Sequence, residues 1–321
     1  MAEKICCVCH RPLNPDETRT LGGRTYCAQH YAKATQDRPG LWRAGLGMIV
    51  GQLVFVLLVE VLVGVFKPTF SGWMLDAVGL FLALSAALIW LIFFYQQDRL
   101  EPEPKGYILG VFILGALLAQ GVGIPLEEDV FGVGRWLSLS PLGGLLGAIL
   151  IVGFLEESLK YFAVRYSVYA LPEFDERIDG VIYGTTAGLG YATALNLHYI
   201  ITTGGVNLQA GVIRIVVTAL AQASFAGLTG YFLGRAKFED EPVWWLPAGV
   251  TLAAVLNGVF TTLHGELTTP ALNLAGGGFN PWPGLALAAI VAGGTFGLLY
   301  YLMRRANRLT LAGADKQGGE A

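Results

Sequence analysis

Charge is scarce in this 321-residue sequence: Asp, Glu, Lys and Arg make up 14% of it, against 54% hydrophobic residues and a mean hydropathy of +0.55. A soluble domain of this size cannot hide so much apolar side chain in one core, so lipid must solvate most of the chain. Basic excess is lacking too, since the net charge is −3, which removes any reason to expect nucleic-acid binding. Cysteine is absent after Cys27; Cys6, Cys7, Cys9 and Cys27 share the first thirty residues with two of the four histidines, His10 and His30. The chain therefore divides at about residue 40. The polar, cysteine-rich residues after Met1 do not read as a cleavable signal peptide.

What is present is a series of apolar runs of about 20 residues, the length at which a helix crosses about 30 Å of hydrocarbon. Eight are legible, at 44–66, 73–95, 107–124, 140–167, 180–203, 209–234, 244–265 and 282–303. Helix is the economical reading, because open sheet edges leave backbone groups unpaired in lipid. The expected fold is an all-α polytopic membrane protein of about eight transmembrane helices, preceded by a small N-terminal zinc-knuckle module. Its parts are a cytoplasmic head (1–40), a membrane domain (41–303) and a short polar tail (304–321). Glycine, 43 residues in all, fits close helix contacts, as at Gly184, Gly188 and Gly190.

Basic residues set the orientation. Of the 21 Lys and Arg, 17 fall in the head, the even-numbered loops and the tail; only Lys67, Arg135 and Arg214 fall on the other side, and Lys160 lies inside a helix. Both termini are expected in the cytoplasm of a multi-pass cell-membrane protein.

In the head, Cys6-x2-Cys9 and Cys27-x2-His30 offer four ligands in two knuckles, which suits a closed tetrahedral structural zinc site. The stretch resembles half of a LIM domain or a zinc ribbon, with Arg11-Pro12-Leu13 and a Gly-Gly-Arg-Thr-Tyr-Cys run leading to His30 and Tyr31. Cys7 and His10 are neighbouring alternatives as ligands, and His10 reads most simply as solvent-exposed. A disulfide is disfavoured in a reducing compartment. A four-ligand site has no open position for catalysis. The membrane domain has its own core and is expected to survive loss of the metal.

Charge within the membrane is the sharper signal, because each such residue is costly there. Glu156 and Lys160 are four apart and Glu157 and Lys160 three apart, so on a helix both carboxylates can reach one ammonium. A purely structural ion pair needs one glutamate. Two adjacent ones leave excess negative charge in a low dielectric, an arrangement suited to general-base work or metal ligation.

Glu156-Glu157-x-x-Lys160, followed by Phe174-Asp175-Glu176-Arg177-x-Asp179-Gly180-x-x-Tyr183-Gly184, resembles the PrsW family of intramembrane proteases, within a clan that includes CAAX-processing and Abi-type proteases. Further matches are Asp98-Arg99-x-Glu101-Pro102-Glu103-Pro104, Gly188-x-Gly190-Tyr191-Ala192, Gly230-Tyr231-x-x-Gly234-Arg235-Ala236-Lys237 and Leu263-His264-Gly265, covering roughly residues 75–303. The resemblance implies hydrolysis of peptide bonds in membrane-anchored protein substrates, of the anti-sigma-factor kind. Glu156 and Glu157 match the catalytic glutamates and His264 the last histidine; a metal at the glutamates is left open. Two positions depart: Leu195-Asn196 stands where the family has Glu-Asn, so that Asn196 alone is kept, and Gln222 stands where it has histidine.

Glutamine can donate to an oxyanion but cannot take up a proton. His198 is a possible stand-in. At about 1.5 Å per residue, His198 and His264 lie about 27 Å and 30 Å from the cytoplasmic starts of their helices, near the outer surface, with Glu156 and Gln222 closer to the middle. Asp175, Arg177 and Asp179 read as solvated junction residues, Asp179 supporting a helix start. Glu101 and Glu103 read as a rigid turn between prolines. Beside the protease stand two other expectations, a catalytically silent relative that binds membrane partners and a proton-coupled transporter using Glu156, Glu157 and Lys160. No inverted repeat supports the latter.

The orientation is open to direct test. A cysteine placed near Gly276 is expected to react with an impermeant maleimide from outside intact cells, and one near Lys237 is not; the opposite labelling would invert the topology.

Overall fold

The computed structural model describes residues 4–21, 24–34, 40–97, 103–137, 140–203, 208–268 and 280–318. Glu101 and the loop around Gly276 lie outside them. The head holds two antiparallel hairpins, β1 (Lys4–Ile5) with β2 (Pro12–Leu13) and β3 (Arg19–Leu21) with β4 (Arg24–Tyr26), followed by α1 (Ala28–Ala34). His10 turns the first knuckle with a positive φ of 56°, its amide donating to the Cys6 carbonyl at 3.0 Å. That is the left-handed conformation a tight knuckle demands.

The rest is helical: α2 (Gly40–Phe66), α3 (Trp73–Gln97), α4 (Lys105–Leu118), the short α5 (Val133–Trp136) and α6 (Pro141–Gly147), α7 (Phe154–Ser167), α8 (Arg177–Thr202), α9 (Leu208–Phe238), α10 (Trp245–Thr268) and α11 (Trp282–Gly318). Among the described residues, seven segments are long and apolar enough to cross a membrane: 45–66, 73–92, 105–136, 141–167, 208–238, 245–268 and 282–305. The eighth expected crossing is α8, whose 26 residues suffice in length but carry glycines, threonines, Asn196 and His198. Enclosure explains the glycines, the threonines within the helix and Asn196, since 19 of its 26 residues are buried, His198 not among them, whereas α2 turns most of its surface outward. The third span runs further than its apolar stretch, to Trp136, through π-helical turns at Ala119–Gly123 and Leu126–Val130. The last helix likewise continues into the polar tail, to Gly318.

Glycine sets the spacing of the central pair. A Cβ on Gly184 would strike the Ala226 carbonyl, one on Gly188 that of Gln222, one on Gly230 that of Gly180 and one on Gly234 that of Arg177. Helices α8 and α9 thus meet backbone to backbone along their length. Gly190 faces α4 instead, against the Phe112 carbonyl. The α8 N-terminus is fixed by a capping box: the amide of Glu176 donates to Asp179 Oδ2 at 2.6 Å, which gives Asp179 the helix-start role its position suggests. Glu103 is buried and accepts a hydrogen bond from the Tyr183 hydroxyl, so it braces α8 rather than lying at an open turn.

The head is docked on the membrane helices, more closely than its separate composition suggests. Cys6, Val8, Leu21 and Tyr26 share one apolar cluster with Val164, Phe174, Leu233 and Phe238. The Tyr26 hydroxyl donates to the Phe238 carbonyl at 2.8 Å, and α11 touches β3. Apolar area at the ends of α7 and α9 that would otherwise meet water is covered by the head.

Replacing Gly184 by Val drives a branched side chain into the Ala226 backbone and is expected to cost about 1–3 kcal/mol or to abolish folding. Gly110→Val is the comparison, since nothing lies within 4 Å of a Cβ there. Thermal unfolding in detergent checks this; equal midpoints for the two variants would refute the close seam.

Candidate active site and metal centre

A π-helical turn at Ala148–Gly153 immediately precedes α7 and offsets the register on which Glu156 and Glu157 are presented. Such turns are frequent at functional sites. Two close approaches bring α10 up to that turn. A Cβ on Gly153 would strike the Ala254 carbonyl, and one on Gly258 would lie 2.5 Å from the Ile149 backbone.

Glu156, Glu157 and Lys160 are all buried. The Lys160 ammonium lies 2.6 Å from Glu157 Oε1 and 3.5 Å from Glu156 Oε2, and donates a further hydrogen bond to Gln222 Oε1. Gln222 passes the contact on, its Nε2 donating to Glu156 Oε2 at 2.6 Å. Asn257 of α10 donates to both carboxylates, at 2.7 Å to Glu156 and 3.0 Å to Glu157. Lys160 also lies over the Tyr191 ring, 5.0 Å from its centroid. Two buried atoms of these residues have no hydrogen-bond partner among the described residues, Glu157 Oε2 and the Tyr191 hydroxyl, the latter beside Gly123. A third carboxylate, Glu127 of the second π turn, is close enough to feel the charges of Glu156 and Lys160.

Of the residues singled out from sequence, four converge: Glu156, Glu157, Lys160 and Gln222. Asn196 is buried, its Nδ2 donating to the Ile215 carbonyl at 3.2 Å, where it ties α8 to α9. Leu195 packs against the small cluster of Leu159 and Tyr191. His198 pairs with Glu128 at 2.9 Å. His264 stacks on Phe260 with ring centroids 5.8 Å apart and abuts Gly284; it has no hydrogen bond or ion pair to the glutamates among the described residues. Seven residues, or about 10 Å of helix, separate it from Asn257. Asn257 and Glu127 were missed by sequence reasoning, although an amide inside an apolar span carries the same kind of signal as Glu156.

In the head, Cys6, Cys9, Cys27 and His30 bring their ligand atoms within 4.8 Å of one another. His30 Nδ1 lies 3.1 Å from Cys27 Sγ and 3.6 Å from Cys6 Sγ. Tetrahedral zinc bonds of about 2.0–2.3 Å place donors on the order of 3.5 Å apart, so the set fits one closed metal site. The ring's other nitrogen, Nε2, lies 3.8 Å from Asp175 Oδ2. A carboxylate in that position orients a ligating imidazole; Asp175 therefore faces the head and not open solvent. Cys7 stands apart, its thiol pushed up to about 11 by burial, and His10 is exposed.

Residues 103–293 match the model of the PrsW family intramembrane metalloprotease. Protease PrsW of Bacillus subtilis is 31% identical over 175 residues, 53% of this chain and 75% of the relative. That of Geobacillus kaustophilus is 32% identical over 174 residues, 54% and 73% of the two chains. Its counterpart in Oceanobacillus iheyensis is 28% identical over 232 residues, 71% and 95%. No solved structure matches. The head lies outside the matched residues, so its Cys/His cluster is not what the family description refers to. At the glutamates the donors present do not fit a metal: the Lys160 ammonium already sits between the carboxylates, and the other close partners are neutral amides. With the match spanning the glutamates, their amide partners and every helix that positions them, the chain belongs to the PrsW family of intramembrane proteases.

Proposed function

We propose that Glu156 and Glu157 activate water for hydrolysis of a peptide bond in a membrane-anchored protein substrate. The observation that carries this is the pair of carboxylates held around one ammonium by Gln222 and Asn257 within α7, α9 and α10. Glu157 Oε2, the carboxylate oxygen left without a partner, is the group to take a proton from water. The resulting hydroxide adds to the scissile carbonyl, and Lys160 with the Asn257 amide stabilises the oxyanion. The proton held by Glu157 then passes to the leaving nitrogen as the C–N bond breaks. Glu156 anchors both amides. These steps are carried by the side chains alone.

The head (1–40) is proposed to hold one structural zinc ion through Cys6, Cys9, Cys27 and His30, cytoplasmic like the tail (304–321) on the strength of the basic-residue count, with the protease domain at 41–303. Its role is to keep the head folded on the ends of α7 and α9.

Glu156→Gln and Glu157→Gln retain size but remove the base, so turnover on a reconstituted membrane substrate should fall by about a hundredfold or more with substrate binding kept. Activity surviving in both would end the glutamate reading. Lys160→Met leaves two buried carboxylates without a counter-charge and costs stability as well, about 3–5 kcal/mol. Gln222 both accepts from Lys160 and donates to Glu156, so Gln222→Leu should lower turnover at least about tenfold. Gln222→His should bring no gain, because the bridge is already satisfied; a rise would mean the chain has drifted from an active histidine site.

Metal content tests the head. Cys27→Ser should release the zinc, whereas Asp175→Asn should keep all four ligands yet weaken binding by about 10–100-fold in a chelator competition. Stoichiometric zinc in a Cys9→Ser/Cys27→Ser double variant would show the ligand set to be wrong.

A further inference from the structure

Between the head and the ends of α7 and α9 lies a cavity of about 680 Å³, within the range of about 300–1,000 Å³ typical of small-molecule sites. Three cations line it, Arg24 from the head, Arg165 from α7 and Lys237 from α9, and no Asp or Glu does. The cations differ in what they have left to offer. Lys237 spends its ammonium on the carbonyls of Tyr169, Leu171 and Phe174, at 2.7, 3.0 and 2.6 Å, and so contributes charge while locking the α7–α8 connection. Arg24 makes one long contact, 3.4 Å to the Ala236 carbonyl, and its buried Nε has no partner among the described residues. Arg165 stacks on the Tyr169 ring at 4.0 Å and shares a hydrogen bond with its hydroxyl; neither arginine has a carboxylate partner among the described residues.

Depth narrows the ligand. The crossings that form the walls end at Ser167 and Phe238, and the lining residues of α7 and α9 are within a few positions of those ends. Tyr166 and Tyr169 stand there, at the level where interfacial aromatics meet headgroups. We propose that this cavity binds an anionic phosphate group at the membrane surface, held by the guanidinium groups of Arg24 and Arg165. Planar guanidinium forks match phosphate oxygens two at a time, which an ammonium does not. The site is built jointly by the head and the membrane helices, so an occupied cavity fastens one to the other. It does not depend on what the glutamates do.

Native mass spectrometry of the full chain in a neutral detergent, titrated with phosphatidylglycerol or phosphatidylcholine, tests this. Wild type is expected to prefer the anionic lipid by about tenfold, and Arg24→Gln/Arg165→Gln to lose that preference with its thermal midpoint kept. Arg304→Gln/Arg305→Gln, an equal loss of charge on exposed positions, should retain it. Millimolar inorganic phosphate distinguishes the sources: displacement of the lipid means that phosphate alone is recognised, and failure to displace means that the lipid is the ligand. Equal retention of both lipids by wild type, or equal loss of preference in the two double variants, would overturn the proposal.

Discussion

An ammonium between two carboxylates, out of reach of bulk water, is the constraint around which the bundle is built. Separately, each of these charges would be ruinous at the centre of a membrane domain. Together they are tolerable only if the remaining lone pairs and protons find partners and the geometry does not drift. Gln222 and Asn257 supply the partners, from helices far away in the chain. The glycine seams supply the fixed geometry, since Gly153 and Gly258 let α10 approach closely enough for one amide to reach both glutamates. Enclosure also releases α8 from the need to be apolar, which is why it can carry Thr185, Thr193 and Asn196.

Much of this was legible in the sequence, for identifiable reasons. Lipid imposes length and apolarity on each crossing, so the helices announce themselves, and a local spacing of three and four places Lys160 against Glu156 and Glu157. The clustering of Cys6, Cys9, Cys27 and His30 follows from two short knuckles in the same way. What escaped depends on contacts between distant segments. Asn257 is 100 residues from Glu157 and looks like any amide until α10 is seen beside α7. The π turns leave no mark in hydropathy, because an extra residue in a helical turn alters register without altering composition. Asp175 reads as a solvated loop acid, and only the docked head reveals its imidazole neighbour.

The resemblance carried by Glu156-Glu157-x-x-Lys160 and the later glycine motifs pointed to the family, and its two glutamates meet Lys160 in one buried cluster. It was less informative about the histidines. His264 is two turns from Asn257 along α10, and His198 is engaged by Glu128. Gln222 instead fills a place that requires one acceptor and one donor at once, a requirement that a neutral imidazole also meets and most other side chains do not.

The backbone contact between α8 and α9 also has a mechanical consequence. Where two helices touch through carbonyls and glycines there is little side-chain layer to shear or repack, so the pair is expected to act as a single spine. Movement within the bundle is then expected in the helices around that spine, α7 and α10 or the third crossing with its π turns, rather than between α8 and α9.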